Sequence, residues 1–255
     1  MSVDLNADVG EGMDDAELLP YVTSANVACG MHAGDPTTMD QTVLSALTRG
    51  VRVGAHPGYA DRANFGRVFV EMSADDIENL IVFQVGALQG FARSRGGRVS
   101  HVKPHGALYH SAGEFPDVAR AIAEGVRRVG EDLVLVGAAG SLLLGAGEDA
   151  GLAVAAEAFA DRRYRPDGTL VPRGEPGALL LDPDEAAEQA VGLARDGVAI
   201  AQDRTPIAVR ADTICLHGDT PGAVEIAKRI HELFRKAGIR IAPIEPHRSS
   251  EAGFA

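Results

Sequence analysis

One rhythm runs the length of this chain and limits what it can fold into. Short apolar runs recur, and each ends in a small polar motif built around His, Asp or Asn. In order, the motifs are Asp4-Leu5-Asn6-Ala7-Asp8, Asn26 through Asp35, Gly54-Ala55-His56-Pro57, Lys103-Pro104-His105, Glu157 through Arg173, and Cys215-Leu216-His217-Gly218-Asp219. Strands hold their ends rigidly, and strand ends carry functional side chains. A repeat of this kind predicts one site assembled from many loops at one face of an α/β fold.

The apolar runs predict strands at Val3–Ala7, Thr23–Cys29, Val51–Ala55, Ser100–Val102, Leu133–Gly137, Leu152–Ala156 and Thr213–Leu216, with a weaker one at Ile239–Pro243. They are short and continuously apolar, as buried parallel strands are. Helices start between them at recognisable caps. Asp35-Pro36 opens one that runs to about Arg49, and Ser73 opens a longer one ending before Gly96-Gly97. Asp182-Pro183-Asp184-Glu185 has the pattern of a capping box, and Thr220-Pro221 predicts a last helix with Val224, Ala227, Ile230, Leu233 and Phe234 on its buried stripe. Alternating strand and helix argues for a parallel sheet. An open sheet would concentrate its ligand groups at one switch point, whereas here nearly every strand end carries them, which favours a barrel. No linker or sequence repeat divides residues 1–255, so one domain is expected.

Bulk properties exclude several classes. The formal net charge of −12 argues against a nucleic-acid surface. No apolar stretch approaches the roughly 20 residues needed to span a bilayer, and the N-terminus lacks a signal-peptide pattern. Two cysteines, Cys29 and Cys215, form no disulfide framework. These features predict a cytoplasmic protein.

Asp4, Asn6 and Asp8 alternate along the first strand and so share one face, the interior if the sheet closes. Buried carboxylates need a partner or a cation. Each Asp therefore either caps the following loop or serves as a general base or metal ligand. Asp and His gathered at strand ends could hold a divalent metal, with Asp8, His56 and His105 as candidates, although no His-Glu-x-x-His or Cys-x-x-Cys spacing announces one. Lys103, placed before His105 with Pro104 at the turn, could bind a carboxylate or polarise a carbonyl. Two polar loops are candidate lids: Gly58 through Arg67, which includes Arg62, and Asp161 through Arg173, a basic island in an acidic chain. There is no P-loop and no Gly-x-Ser-x-Gly elbow. Residue chemistry alone reaches a hydrolase-like barrel that uses Asp and His on a small anionic or amide substrate.

These motifs resemble those of the LamB/YcsF family, the A subunits of bacterial 5-oxoprolinase. Asp4 through Asp8 with Gly10-Glu11-Gly12 looks like its opening signature. The resemblance continues through Ser24 to Gly30 with His32-Ala33-Gly34-Asp35, Gly54-Ala55-His56-Pro57, Asp61-Arg62 with Phe65-Gly66-Arg67, Val102 through Gly106, Glu157 through Arg162, Leu170 through Arg173 and Cys215 through Asp219. Met31 and Val68 depart from the usual pattern without removing a motif His or Asp. The resemblance implies an irregular barrel of about seven strands, similar to the glycoside hydrolase/deacetylase superfamily. It implies ATP-dependent opening of 5-oxo-L-proline to L-glutamate in a complex with subunits B and C, ATP being used by the complex. It implies a catalytic group of Asp4, Asp8, His56, Lys103 and His105, and substrate contacts from Asn6, Asn26, His32, Arg62, Glu157, Asp161, Arg162, Arg173 and His217. Asp8 or His56 would take the proton, and Lys103, His105 and Arg62 would hold the substrate carboxylate or a phosphate. The alternatives are a stand-alone metal-dependent deacetylase or amide hydrolase, and a non-catalytic substrate-binding subunit.

Overall fold

The computed structural model describes residues 1–13 and 15–244; the last eleven positions of the expected domain lie outside the described residues. Seven parallel strands close into a barrel. β1 (Ser2–Val9), β2 (Ser24–Ala28), β3 (Arg52–His56), β4 (Val99–Val102), β5 (Val134–Ala138) and β6 (Ala153–Phe159) follow one another around it. β7 (Val198–Ile200) and β8 (Pro206–Ala208) form a separate antiparallel hairpin. β9 (Thr213–His217) then pairs with both β6 and β1 and closes the ring. A short β10 (Arg240–Ile241) runs beside Ser2 and Val3.

Among the described residues, seven helices surround the barrel: α1 (Pro36–Thr48), α2 (Ala74–Ser94), α3 (Gly106–Glu114), α4 (Pro116–Val129), α5 (Leu142–Asp149), α6 (Pro183–Asp196) and α7 (Ala223–Ala237). Their starts follow the capping chemistry. Asp35 accepts from the Thr38 N–H at 2.8 Å, and Ser73 accepts from the Asp76 N–H at 3.2 Å. Asp182 caps α6 through the N–H groups of Asp184 and Glu185, but Glu185 does not reach back to complete the box; its carboxylate pairs with Arg163 at 2.9 Å. The last helix starts later than Thr220-Pro221 predicts. Its N-cap is Gly222 at φ +78°, and its buried stripe is Ala223, Ile226, Ala227, Ile230 and Phe234. Thr220 is spent elsewhere: its hydroxyl donates to Asp161 at 2.5 Å. None of these helices is long and apolar enough to cross a membrane.

The main apolar core lies between barrel and helices, where Val3, Leu5, Ala7 and Val9 of β1 meet residues such as Met39, Ile81, Leu88, Ile122 and Ile230. The inside of the barrel is different. Alternation sends Asp4, Asn6 and Asp8 inward. Strand register puts Ser24 and Asn26 on β2, Gly54 and His56 on β3, His101 on β4 and Thr213, Cys215 and His217 on β9 on the same face. On the β5–β6 side the lining is apolar: Val134, Val136, Ala153 and Ala155 cluster with Ile244 from the segment after β10. The Arg52 guanidinium donates to the Ile244 carbonyl at 2.8 Å and holds that segment.

Asp4 sits at the deep end of the polar side. It accepts from the hydroxyls of Thr23 (2.8 Å), Ser24 (2.7 Å) and Thr213 (2.5 Å). Burial raises the pKa of its carboxyl against the pull of those donors. His101 fills the space left by Gly54, where an added Cβ would lie 2.0 Å from its Nε2. That Nε2–H donates to Asn26 Oδ1 at 2.9 Å. Burial, helped by the nearby Lys103 cation, pushes the His101 pKa down to about 3 from 6.5.

A fully buried imidazole with a depressed pKa makes stability depend on pH. Between about pH 6.5 and about pH 3 the unfolded chain binds a proton that folded His101 refuses. Its contribution is complete above that window and is lost as pH falls through it, by up to about 1.4 kcal/mol per pH unit. His101→Gln should therefore flatten the loss of stability between about pH 7 and about pH 5, measured by urea unfolding. An unchanged acid limb would contradict a neutral His101.

Candidate active site

The polar motifs meet at the C-terminal mouth of the barrel, as the strand-end rhythm predicts. The deepest layer is organised around the buried Lys103 ammonium. It lies 2.9 Å from Asp8 Oδ1, 2.8 Å from Glu157 Oε1, 3.1 Å from Cys215 Sγ and 3.4 Å from Asn6 Oδ1. Asn6 donates to Glu157 Oε1 at 3.0 Å and to Thr213 at 2.7 Å, and Asn26 donates to Asn6 Oδ1 (2.7 Å) and Asp8 Oδ1 (2.8 Å). α3 supplies Tyr109, whose hydroxyl donates to Glu157 Oε2 at 2.7 Å. Burial would lower the lysine pKa, but Asp8, Cys215 and Glu157 raise it well above the usual value. Burial likewise opposes ionisation of Asp8, and the His56 and Lys103 charges overcome it, holding this carboxyl well below its ordinary range. The ammonium that the resemblance put on the substrate carboxylate is here surrounded by the protein's own groups, and it braces the floor.

Above that floor stand four side chains from different loops. Glu11 Oε1 lies 2.8 Å from His32 Nε2, 3.2 Å from His105 Nδ1 and 3.8 Å from His56 Nε2. His56 Nε2 faces His105 Nδ1 at 3.0 Å and Asp8 Oδ2 at 3.4 Å. Each of these two rings donates its other N–H to a backbone carbonyl: His56 Nδ1 to Lys103 at 2.7 Å, His105 Nε2 to Phe65 at 2.8 Å. The His32 and His105 rings stack, 3.7 Å apart and 2° from parallel. Burial pushes His32 down to about 4, so it is neutral at pH 7. This Glu/His group has the composition and spacing to hold a metal ion, since its donor atoms all lie within 4.8 Å of one another.

Local backbone chemistry sets these rings. Gly66, at φ +64°, leaves room that a Cβ would fill 2.8 Å from the His32 Cβ and 3.0 Å from His105. Phe65 also adopts a left-handed φ of 56°, and its carbonyl meets His105. Gln84 on α2 holds both the N–H and the carbonyl of Gly58, at 3.0 and 2.9 Å. Arg62, expected on the substrate, instead donates to the carbonyls of Gly30 (2.8 Å) and Gly34 (2.6 Å), bracing the loop that carries His32.

The third part is a dyad beside Asp8. His217 Nδ1–H donates to Asp161 at 2.9 Å, and the ring stacks on Phe159. Burial opposes ionisation of Asp161, but His217 and the Thr220 hydroxyl lower its pKa. A carboxylate behind Nδ1 leaves Nε2 as the proton acceptor, and a nitrogen of His217 lies within 4.8 Å of an Asp8 oxygen. The basic island divides. Arg163 and Arg165 pair with Glu185 and Glu175, whereas Arg162 lies near enough to interact with Asp161 and Cys215, and Arg173 pairs with Asp219. Arg162 is buried, donates one N–H to the Val171 carbonyl at 2.6 Å, and leaves its Nε without a partner. Burial, and then the Arg173 charge, bring its pKa down to about 10. Arg173 and Arg67 both pair with Asp219, at 3.3 and 2.7 Å.

The structure thus gathers Asp8, His56, His105, His32, Asp161 and His217 around one mouth and sets Asp4, Asn6, Asn26 and Glu157 beneath them. Two residues that matter were absent from the expected set. Glu11 was visible only as an acid between glycines past the first strand; Gly10 and Gly12, both at positive φ, fold it over the barrel end. Tyr109 carried no signal, because nothing in a helical stretch announces that one hydroxyl reaches a carboxylate on another strand.

Replacing Lys103 with Met should destabilise the fold by about 3–5 kcal/mol at neutral pH, since Asp8 and Glu157 would be left buried together without their cation. Urea unfolding would measure this. The loss should shrink as the two carboxylates are protonated in acid, and a loss near zero at neutral pH would contradict the brace.

Comparison with known proteins accords with this geometry. A model of the LamB/YcsF family matches residues 3–249. The 5-oxoprolinase A subunit of Methylococcus capsulatus is 51% identical over 249 residues, covering 95% of this chain and 96% of that relative. Its counterpart from Pyrococcus horikoshii is 46% identical and covers 96% and 98%. The crystal structure of a lactam utilization protein from Thermus thermophilus superposes with a TM-score of 0.89 at 41% identity, over 94% of this chain and 99% of that one. On the strength of a match that runs through every strand of the barrel, this chain belongs to the LamB/YcsF family.

Proposed function

We propose that this chain is the A subunit of an ATP-dependent 5-oxoprolinase. In this reading it acts with subunits B and C to convert 5-oxo-L-proline, ATP and water into L-glutamate, ADP and phosphate. The observation that carries the reading is the near full-length identity, at 51% and 46%, to relatives that bear the name of the 5-oxoprolinase A subunit. The site geometry supports the hydrolytic half of the reaction. The missing P-loop agrees with ATP being handled by the complex, and a reaction that consumes ATP belongs in the cytoplasm.

The chemistry accounts for the ATP. A five-membered lactam is a resonance-stabilised amide, and water attacks its carbonyl slowly. Phosphorylation of the lactam oxygen removes that resonance and turns the oxygen into a leaving group. Water then adds at the same carbon, the ring C–N bond breaks as its nitrogen receives a proton, and a second water releases phosphate from the acyl phosphate that remains. Asp8 is suited to orient the water. Its Oδ1 is tied to Lys103 and Asn26, and its Oδ2 faces His56. His217, backed by Asp161, is suited to take the water proton and return it to the ring nitrogen. The buried, unpartnered Nε of Arg162 and the neighbouring Arg173 suit the substrate carboxylate. A stand-alone amide hydrolase is the second reading, favoured by the Glu11 cluster; it requires activity without ATP and partners.

Glutamate formation from 5-oxoproline and ATP, with this chain added to or omitted from the B and C subunits, tests the proposal. Turnover that does not depend on the chain would end it. In the reconstituted complex, Asp8→Asn and His217→Gln should each lower turnover by about 10²–10⁴-fold. Turnover equal to that of the unmodified complex would remove the substituted residue from its role.

A further inference from the structure

The four side chains above the floor present an electrostatic puzzle. A backbone carbonyl only accepts, so His56 Nδ1 and His105 Nε2 both carry protons. In the neutral rings the remaining nitrogens, His56 Nε2 and His105 Nδ1, are lone pairs. They face each other at 3.0 Å, and Glu11 Oε1 lies 3.2 and 3.8 Å from them. Three lone pairs converge on one point, and a single proton can bridge only two of them.

We propose that Glu11 Oε1, His56 Nε2 and His105 Nδ1 bind one divalent transition-metal ion of the zinc class, and that His32 orients Glu11 without ligating.

Four features support this assignment. Zinc–ligand bonds of about 2.0–2.1 Å give tetrahedral edges of about 3.3 Å, and the three observed separations, 3.0, 3.2 and 3.8 Å, bracket that length. Metal-bound histidines characteristically donate their second N–H to a carbonyl or carboxylate, and both rings do so here. Two His and one Glu leave a fourth position open, beside which Asp8 Oδ2 stands 3.4 Å from His56 Nε2. His32 differs from the other two rings. Its Nδ1 is buried without any partner, so a proton there would be orphaned. The proton belongs on Nε2, where it is donated to Glu11 at 2.8 Å.

Asp8, an expected ligand, falls outside this group. It belongs to a second set with Cys215 and His217, whose cation is already present as the Lys103 ammonium.

The test uses the full chain alone, without substrate, so its failure and failure of the lactam reading are distinguishable. After chelation, Zn²⁺ or Co²⁺ should bind at one equivalent by calorimetry, and Co²⁺ should develop the visible absorption of a four-coordinate site. Glu11→Gln and His105→Gln should each weaken binding by more than about 100-fold, while His32→Phe should weaken it by only about 10–100-fold at unchanged stoichiometry. X-ray absorption of the zinc-loaded unmodified protein needs no variant and should show two imidazoles and no sulfur. Absence of stoichiometric binding, a sulfur ligand, a single imidazole, or unweakened binding by Glu11→Gln would each overturn the assignment.

Discussion

The barrel depends on one buried cation. Closing seven strands drives every second residue of β1 into the interior, and this chain places two carboxylates and an amide there. Glu157 adds a third carboxylate from β6. An interior with this much negative charge is not viable without compensation, because an unpaired buried ion carries a desolvation penalty of several kcal/mol. Lys103 reaches Asp8, Glu157, Asn6 and Cys215 at once, and so ties β1, β6 and β9 to the end of β4. A well-packed apolar floor could be equally stable. What the polar floor adds is orientation: each donor and acceptor has a fixed partner, so the Asp8 carboxylate meets the mouth in one rotamer.

The path from sequence to structure was most legible where chemistry is local. Each strand predicted from an apolar run is present, with most ends shifted by one to three residues, because a parallel strand buried on both faces has few ways to hide its composition. Helix caps at Asp35, Ser73 and Asp182 were legible for the same reason: the cap and the N–H it satisfies are two or three residues apart. Thr220 shows the limit. By sequence it is a good cap, but Asp161, fifty-nine positions away, takes its hydroxyl. The helices after β4 and β5 had no comparable opening signal, and the β7–β8 hairpin had none at all. The motif residues of the site were readable as a set, since strand ends of one barrel share a face. Their individual duties were not. Arg62 and Lys103 looked like groups for an anionic substrate, and the structure gives both of them partners within the protein that sequence could not announce, because a cation's partner is decided by three-dimensional distance.

Histidine makes the same point within one site. His101 lies within β4, and His32, His56 and His217 lie in strand-end motifs, yet all four play different parts. His101 is pinned to Asn26 in the space beside Gly54 and is held neutral by burial. His32 is also neutral and donates to Glu11. His56 has the opposite bias: burial lowers its pKa, but Asp8 and Glu11 outweigh burial and raise it. His217 has its own carboxylate in Asp161. Partner identity rather than residue type assigns each role, and the glycines at 54 and 66 make those partnerships sterically feasible.

Floor and rim are held by forces of different strength, and this bears on how the site works. The floor is a saturated network of buried groups that cannot shift without orphaning a charge. The rim is joined by Asp219, which pairs with Arg67 from one loop and Arg173 from another. Arg67 keeps 44% of its side chain exposed, and pairs of this kind are worth about 1 kcal/mol or less. Opening the rim therefore costs little, whereas moving the floor costs a large fraction of the stability of the fold. A substrate carboxylate arriving at Arg173 would compete directly with Asp219, loosening the very contact that joins the two loops to β9. If Arg173 takes the carboxylate as proposed, substrate entry and rim rearrangement would be coupled through that single aspartate, while Asp8 and His217 would stay fixed against the strands beneath.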